Sequence, residues 1–326
     1  MQMANMLYQI LTQIIVQIMA MMTMPIFWAA AVLLAVQVGL IQIKKQKQVV
    51  VKLSAFLFAI MERWVYIVMS GVAGGVIASC LLLLTGISIS YHAMLCLWLA
   101  MFVLFLIQRR FFCFAYAGGI LVLMQTIADM CGTSLFGFDS AALLMLVAIL
   151  HFTEAVLVRI SGSLQQIPVY FRNKKGTLTA KTQLQMCWPV PLVIPMPIAQ
   201  HTLEDISGGC FVMPDWWPVF GTAGSVETAV IYQLIPVLSM IGYMDTAEPG
   251  AEAKQTRKDS ILLLAYSLLL CILVYAGKDR LYLQGIAALF SILGHEGMLR
   301  LGHMDMRKYV HTKKEQGFAK FIIKKW

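Results

Sequence analysis

Two short runs place ionisable side chains inside apolar sequence. In Leu150-His151-Phe152-Thr153-Glu154-Ala155, His151 and Glu154 stand three residues apart, and Arg159 follows. That spacing puts the pair on one face of a helix. An ionisable group surrounded by lipid is costly, so the pair is either a proton, ion or metal site or a hydrogen-bonded pair that fixes helix packing. The second run, Leu293-Gly294-His295-Glu296-Gly297-Met298, has half of a zinc-protease helix. That chemistry needs H-E-x-x-H, because two histidines one turn apart must grip one ion. Four residues after His295 stands Leu299, and the next histidine, His303, lies beyond Gly302. A single-helix metalloprotease is therefore disfavoured, and neither a catalytic residue nor a metal ligand is assigned. His151, Glu154, His295 and Glu296 together bind a metal only if their two helices meet. No Walker glycine loop, nucleophile elbow or G-x-G-x-x-G occurs, so no cofactor is expected. Gly71, Gly74 and Gly75 suit close helix packing instead. The seven cysteines form no C-x-x-C pair and read mainly as packing residues; only Cys131 and Cys210 fall where a disulfide is open.

The elements that must position these groups are written for lipid. Of 326 residues, 60% are hydrophobic and 13% charged, with a mean hydropathy of +0.78. No soluble domain of this size shows that balance. The expected fold is an all-α integral membrane protein, a polytopic helical bundle of about nine spans. Residues 1–24 carry Asn5, Gln9, Gln13 and Gln17 at four-residue spacing, which predicts an interfacial amphipathic helix. The transmembrane domain covers 25–293, with confident spans at 25–43, 64–84, 92–107, 111–127 and 141–158 and a hairpin of spans at 261–275 and 281–293. Between them, 187–198 holds Pro189, Pro191, Pro195 and Pro197, which break a regular helix. That segment either crosses irregularly, with 228–244 around Pro236 as its partner, or is re-entrant, which leaves seven spans. A basic cytoplasmic tail occupies 294–326.

Charge orients the scheme. With the N-terminus outside, every one of the 25 Lys and Arg residues except Lys278 and Arg280 falls in a cytoplasmic segment. The outer loop 200–227 carries Glu204, Asp205, Asp215 and Glu227 with no basic neighbour. Such asymmetry is the positive-inside pattern of a plasma membrane protein with its C-terminus in the cytoplasm. The net charge of +9 is spread over the ends of apolar runs, which argues for anionic lipid as partner and against nucleic acid.

Contact surfaces are sought in two loops. The cytoplasmic loop 159–186 carries Arg172, Lys174 and Lys175, and its residues 169–171 and 177–179 are spaced to pair as a β-hairpin. Its alternative is a solvated basic loop near headgroups. Trp216-Trp217-Pro218 in the outer loop reads as an interfacial anchor or a partner contact, and Trp188 begins the proline-rich stretch.

Several runs taken in order are similar to the membrane region of the MinJ-like, PDZ-containing topological proteins of cell division in Gram-positive bacteria. They are the amphipathic start before a basic-ended first span, Phe112-Cys113-Phe114-Ala115-Tyr116-Ala117-Gly118-Gly119, Leu150 to Ala155, Gln185-Met186-Cys187-Trp188-Pro189-Val190-Pro191-Leu192, and Leu293 to Gly302. The resemblance implies a bacterial cell membrane and a non-enzymatic scaffold with membrane or cytoplasmic protein partners. About thirty residues follow the last span, too few for a PDZ fold, so peptide recognition by that domain does not carry over. Two other roles stay open: a small-solute or ion transporter using broken helices around 189–197 with His151 and Glu154, and a metal-dependent intramembrane hydrolase using His295 and Glu296.

Overall fold

The computed structural model of the protein describes residues 2–46, 53–172, 178–198, 210–211, 217–220 and 231–312. Most are helical: α1 (Gln2–Thr23), α2 (Pro25–Gln46), α3 (Leu53–Leu84), α4 (Tyr91–Ile107), α5 (Phe114–Met130), α6 (Ser140–Ser161), α7 (Glu252–Gly277) and α8 (Leu281–Thr312). The expectation of an all-α protein fails in the middle of the chain. Four strands, β1 (Gln166–Arg172), β2 (Leu178–Ile198), β3 (Cys210–Phe211) and β4 (Ile231–Ala247), form an antiparallel sheet in the order β1-β2-β4-β3. The proline-rich segment is thus not helical. It is the distal part of β2, paired with β4 from Thr182↔Ala247 to Ile198↔Ile231.

The prolines explain why this strand is tolerated. Successive residues of a strand point their backbone groups to alternate edges. Pro189, Pro191, Pro195 and Pro197 share one parity, and Gln185, of the same parity, donates its N–H to Gln165 O across the β1 edge. Beyond the reach of β1, the missing N–H groups therefore all lie on the edge turned away from β4. Proline is confined to such edges because it has no donor to offer a neighbour. At Val193, the non-proline between Pro191 and Pro195, the N–H is met by Ser79 Oγ at 2.9 Å.

That sealed edge lies against α3. A Cβ at Gly71 would come 2.2 Å from Pro189 O, and one at Gly75 2.2 Å from Pro191 O. Four helical residues rise about 6 Å and two strand residues about 6.6 Å. The row Gly71, Gly75, Ser79 therefore keeps step with Pro189, Pro191, Val193. Close packing was foreseen for Gly71, Gly74 and Gly75. Two of them instead admit a strand, while Gly74 meets Leu157 and Thr153 of α6. The hairpin runs along α3 from the turn where Arg63 donates to Leu164 O at 2.9 Å to the far end, where Ile89 N donates to Pro195 O.

Among the described residues three helices are long and apolar enough to cross a membrane, 56–84, 140–161 and 252–277, while α4 and α5 are shorter and apolar. The bent pair α1 and α2 passes the same test together, with an angle of 66° at its break. In α1, Ile10, Ile14, Ile18 and Met21 are buried, whereas Leu11, Ile15, Val16 and Met19 are exposed beside Gln9. Large apolar side chains also cover the outer faces of α2 (Val32, Leu33, Val36, Leu40), α4 (Leu99, Phe102, Val103, Leu106) and α7 (Leu268, Leu269, Ile272). Apolar surface on that scale suits a membrane and not water. At the centre lies α6, started by Asp139, whose side chain accepts from Ala142 N, and buried from Ser140 to His151 without a break. α8 continues to Thr312, so the tail expected from 294 begins as helix.

Candidate metal centre

Small residues on α5 draw three helices together. A Cβ at Gly118 would lie 2.6 Å from Val147 Cγ2 of α6, and one at Gly119 2.6 Å from Ile292 Cγ1 of α8. Such positions let backbones approach closely where lipid supplies no hydrophobic drive between helices. Hydrogen bonds fix the depth: Ser291 Oγ donates to Ala115 O and Tyr266 OH to Ser291 O, both at 2.9 Å. One turn along each chain from these contacts stand Cys113, the residue that starts α5, His151 of α6, and His295 of α8.

One ligand atom from each lies within 4.8 Å of the other two. Cys113 Sγ is 3.4 Å from His151 Nε2 and 3.6 Å from His295 Nε2. In a tetrahedral site with metal–sulfur bonds of about 2.3 Å and metal–nitrogen bonds of about 2.0–2.1 Å, sulfur and nitrogen stand about 3.6 Å apart. His151 Nδ1 is 2.8 Å from Val147 O. A carbonyl only accepts, so Nδ1 holds the proton and Nε2 turns its lone pair to the cluster. Metal-binding histidines are oriented in that way by an outer partner. A thiol has one proton and can serve only one of the two ring nitrogens. His295 is 7% exposed, and its Nδ1 finds no hydrogen-bond partner among the described residues. Hydrogen bonding alone therefore leaves this cluster short of partners, whereas a cation would take the sulfur and both Nε2 lone pairs.

Rings pack around the cluster: Tyr266 lies edge-on to His151 at 5.3 Å and Tyr116 edge-on to His295 at 5.2 Å. Glu154 Oε2 is 4.0 Å from His151 Nε2 and little exposed. All four groups line a cavity of about 590 Å³, whose walls also include Asp245 and Asp259. Asp259 accepts from Tyr243 OH at 2.6 Å, and Gln255 Nε2 bridges Asp245 and Asp259 at 3.0 Å each.

The other residues singled out from the sequence lie elsewhere. Glu296 turns from the cluster to a clamp, accepting from Arg110, from Tyr116 OH at 2.9 Å and from Arg300 Nε at 3.1 Å. Its hydrogen bond raises the affinity of the Arg110 guanidinium for its proton. Arg159 is exposed at the end of α6. Trp188 and Trp217 are buried and cannot present a contact surface: Trp188 Nε1 donates to Ser161 Oγ at 2.9 Å, Trp217 Nε1 to Leu83 O at 3.0 Å. Lys174, Lys175, Trp216, most of the outer loop 200–227 and the tail beyond Thr312 lie outside the described residues, as does the side chain of Arg172. Cys131 is a free, exposed thiol.

Sequence reasoning missed Cys113. It sits 38 residues from His151 and 182 from His295, and no spacing rule links positions that far apart. Comparison with protein-family models, curated proteins and solved structures finds no match to this chain.

Proposed function

We propose that the chain is a membrane-embedded, metal-dependent hydrolase. The observation that carries this reading is the meeting of Cys113 Sγ, His151 Nε2 and His295 Nε2 beside the Glu154 carboxylate, on the wall of one cavity. Structural zinc sites close around four protein ligands, whereas catalytic ones keep three and leave a position for water or substrate. Cys113, His151 and His295 supply three. A divalent ion held there would lower the pKa of bound water and polarise a carbonyl. Glu154 takes the proton that water loses and returns it to the leaving group. The water oxygen bonds to the acyl carbon, and the bond from that carbon to the leaving atom breaks. This departs from the non-enzymatic role expected from the sequence, because the third ligand comes from a helix that carried no chemical signal.

The setting we propose is the cell membrane of a bacterium, with the N-terminus outside and the C-terminus in the cytoplasm. The chain crosses nine times, seven as helices α2 to α8 and twice as the β2–β4 hairpin. Charge asymmetry supports the orientation, and the length of the hairpin along α3 supports its crossing. The transporter reading loses its broken helices, since 187–198 is a strand. The scaffold reading keeps one observation in its favour: β1 and β2 pair from Gln166↔Leu184 to Arg172↔Leu178 and form the stem of a basic hairpin.

The test uses purified protein in lipid nanodiscs, loaded with Zn²⁺, and p-nitrophenyl acetate as a minimal acyl probe. Glu154→Gln should retain one equivalent of zinc and lose about 10²-fold or more of the hydrolysis rate, the range of general-base catalysis. Equal rates for Glu154→Gln and wild type would overturn the reading.

A further inference from the structure

The two long edges of the hairpin are treated differently. On the β2 edge, prolines delete the outward donors and α3 covers what remains. On the β4 edge, the residues opposite those prolines point outward: Leu238 faces Pro191, Met240 faces Pro189, and Gly242 and Met244 continue the series. Two further contacts establish the parity. Thr246 N, of the same set, turns away from β2 to Asp245 Oδ1 at 2.6 Å, and β3 pairs with this same edge at Gln233 and Tyr232.

Proline and the Asp245 cap therefore bound a stretch, from Pro236 to Thr246, that is open among the described residues. Among the described residues no hydrogen bond is made to the N–H groups of Leu238, Met240, Gly242 or Met244. An exposed strand edge is a template for another chain and is normally blunted. Within a membrane it is tolerated only where it is covered by protein or lines an aqueous cavity. Here it lines the cavity of the metal cluster: Met240, Gly242 and Met244 from one face of β4 and Ile241, Tyr243 and Asp245 from the other all contribute to its wall. Lining from both faces means that the cavity follows the edge itself.

We propose that the open edge of β4 over residues 238–244 receives an extended polypeptide segment as an added antiparallel strand, in line with β3, and that this segment is the substrate presented to Cys113, His151 and His295. The proposal rests on the hydrolase reading and names its substrate class. An extended backbone matches alternating donors and acceptors at every second residue, the mode by which peptides add to sheet edges. It also holds a peptide carbonyl in one orientation along the cavity, as hydrolysis at a fixed centre requires. No other ligand class satisfies a row of outward main-chain groups at strand spacing. The bond broken is then a peptide C–N bond: the oxygen of water joins the carbonyl carbon, and the proton it loses ends on the leaving nitrogen.

Gly242 offers a clean test. Its N–H points away from β2, and a Cβ there would meet only Met186 O, at 4.0 Å, so Gly242→Pro deletes one outward donor as Pro236 already does. Fluorescein-labelled β-casein, an unfolded chain, is the probe, with the zinc-loaded protein in nanodiscs and anisotropy as readout. Wild type should bind it and Gly242→Pro should bind it at least tenfold more weakly, with zinc content equal in both. Amide hydrogen exchange at Leu238, Met240, Gly242 and Met244 should be fast in the free protein and slowed by casein. Absence of casein binding by wild type, equal binding by Gly242→Pro, or amides already protected by the chain's own loops would each overturn the proposal. If ester hydrolysis persists while casein fails to bind, only the substrate class is wrong. If casein protects the edge while no hydrolysis occurs, the edge stands and the chemistry falls.

Discussion

Gly75→Ala reports on the contact that seats the hairpin against the helices. The added Cβ would stand 2.2 Å from Pro191 O, and side-chain carbons essentially never come within 3.0 Å of another heavy atom. The strand and the helix must therefore part by at least 0.8 Å locally. Both obstacles are backbone, so no rotamer change relieves them. Overpacking of this kind costs about 1–3 kcal/mol. The parting also stretches the bond from Val193 N to Ser79 Oγ, now 2.9 Å, which adds about 1 kcal/mol when a buried donor loses its partner. The sum is about 2–4 kcal/mol. Thermal unfolding in detergent, followed by a thiol-reactive dye that senses the partly buried cysteines, should show a clear drop in Tm. Gly297→Ala is the matched control: it lies in α8 with no atom within 4 Å of the new Cβ, and alanine there should be neutral or stabilise by up to about 1 kcal/mol. Equal Tm values for Gly75→Ala and Gly297→Ala would refute the packing of strand on helix.

Glu296→Gln separates the clamp from the centre. It weakens the ion pairs to Arg110 and Arg300, so Tm in detergent should fall modestly, by the equivalent of about 1 kcal/mol for a largely exposed pair. Zinc content should not change, and loss of zinc would return Glu296 to the ligand set.

The chemistry was partly legible in the sequence. His151, Glu154 and His295 stand out because ionisable groups in apolar runs are costly, and Leu299 in place of a second histidine disfavours a one-helix zinc motif. Cys113 was not legible, since a cysteine among apolar residues looks the same whether it packs or ligates. Its place beside His151 and His295 follows from the meeting of Gly118 with Val147 and Gly119 with Ile292. The hairpin was misread for a different reason. Pro189, Pro191, Pro195 and Pro197 would break a helix, yet their even spacing is the period of a strand and puts every missing donor on one edge. Trp188 and Trp217 were read by residue preference for interfaces, and internal hydrogen-bond acceptors at Ser161 and Leu83 drew them inside.

Zinc K-edge X-ray absorption on the reconstituted protein measures the central claim directly. One bound zinc per chain is expected, with one sulfur at about 2.3 Å and nitrogen or oxygen neighbours at about 2.0–2.1 Å, and Cys113→Ser should remove the sulfur shell. A protein that holds no zinc, or a spectrum without sulfur in the wild type, would contradict the Cys113-His151-His295 centre.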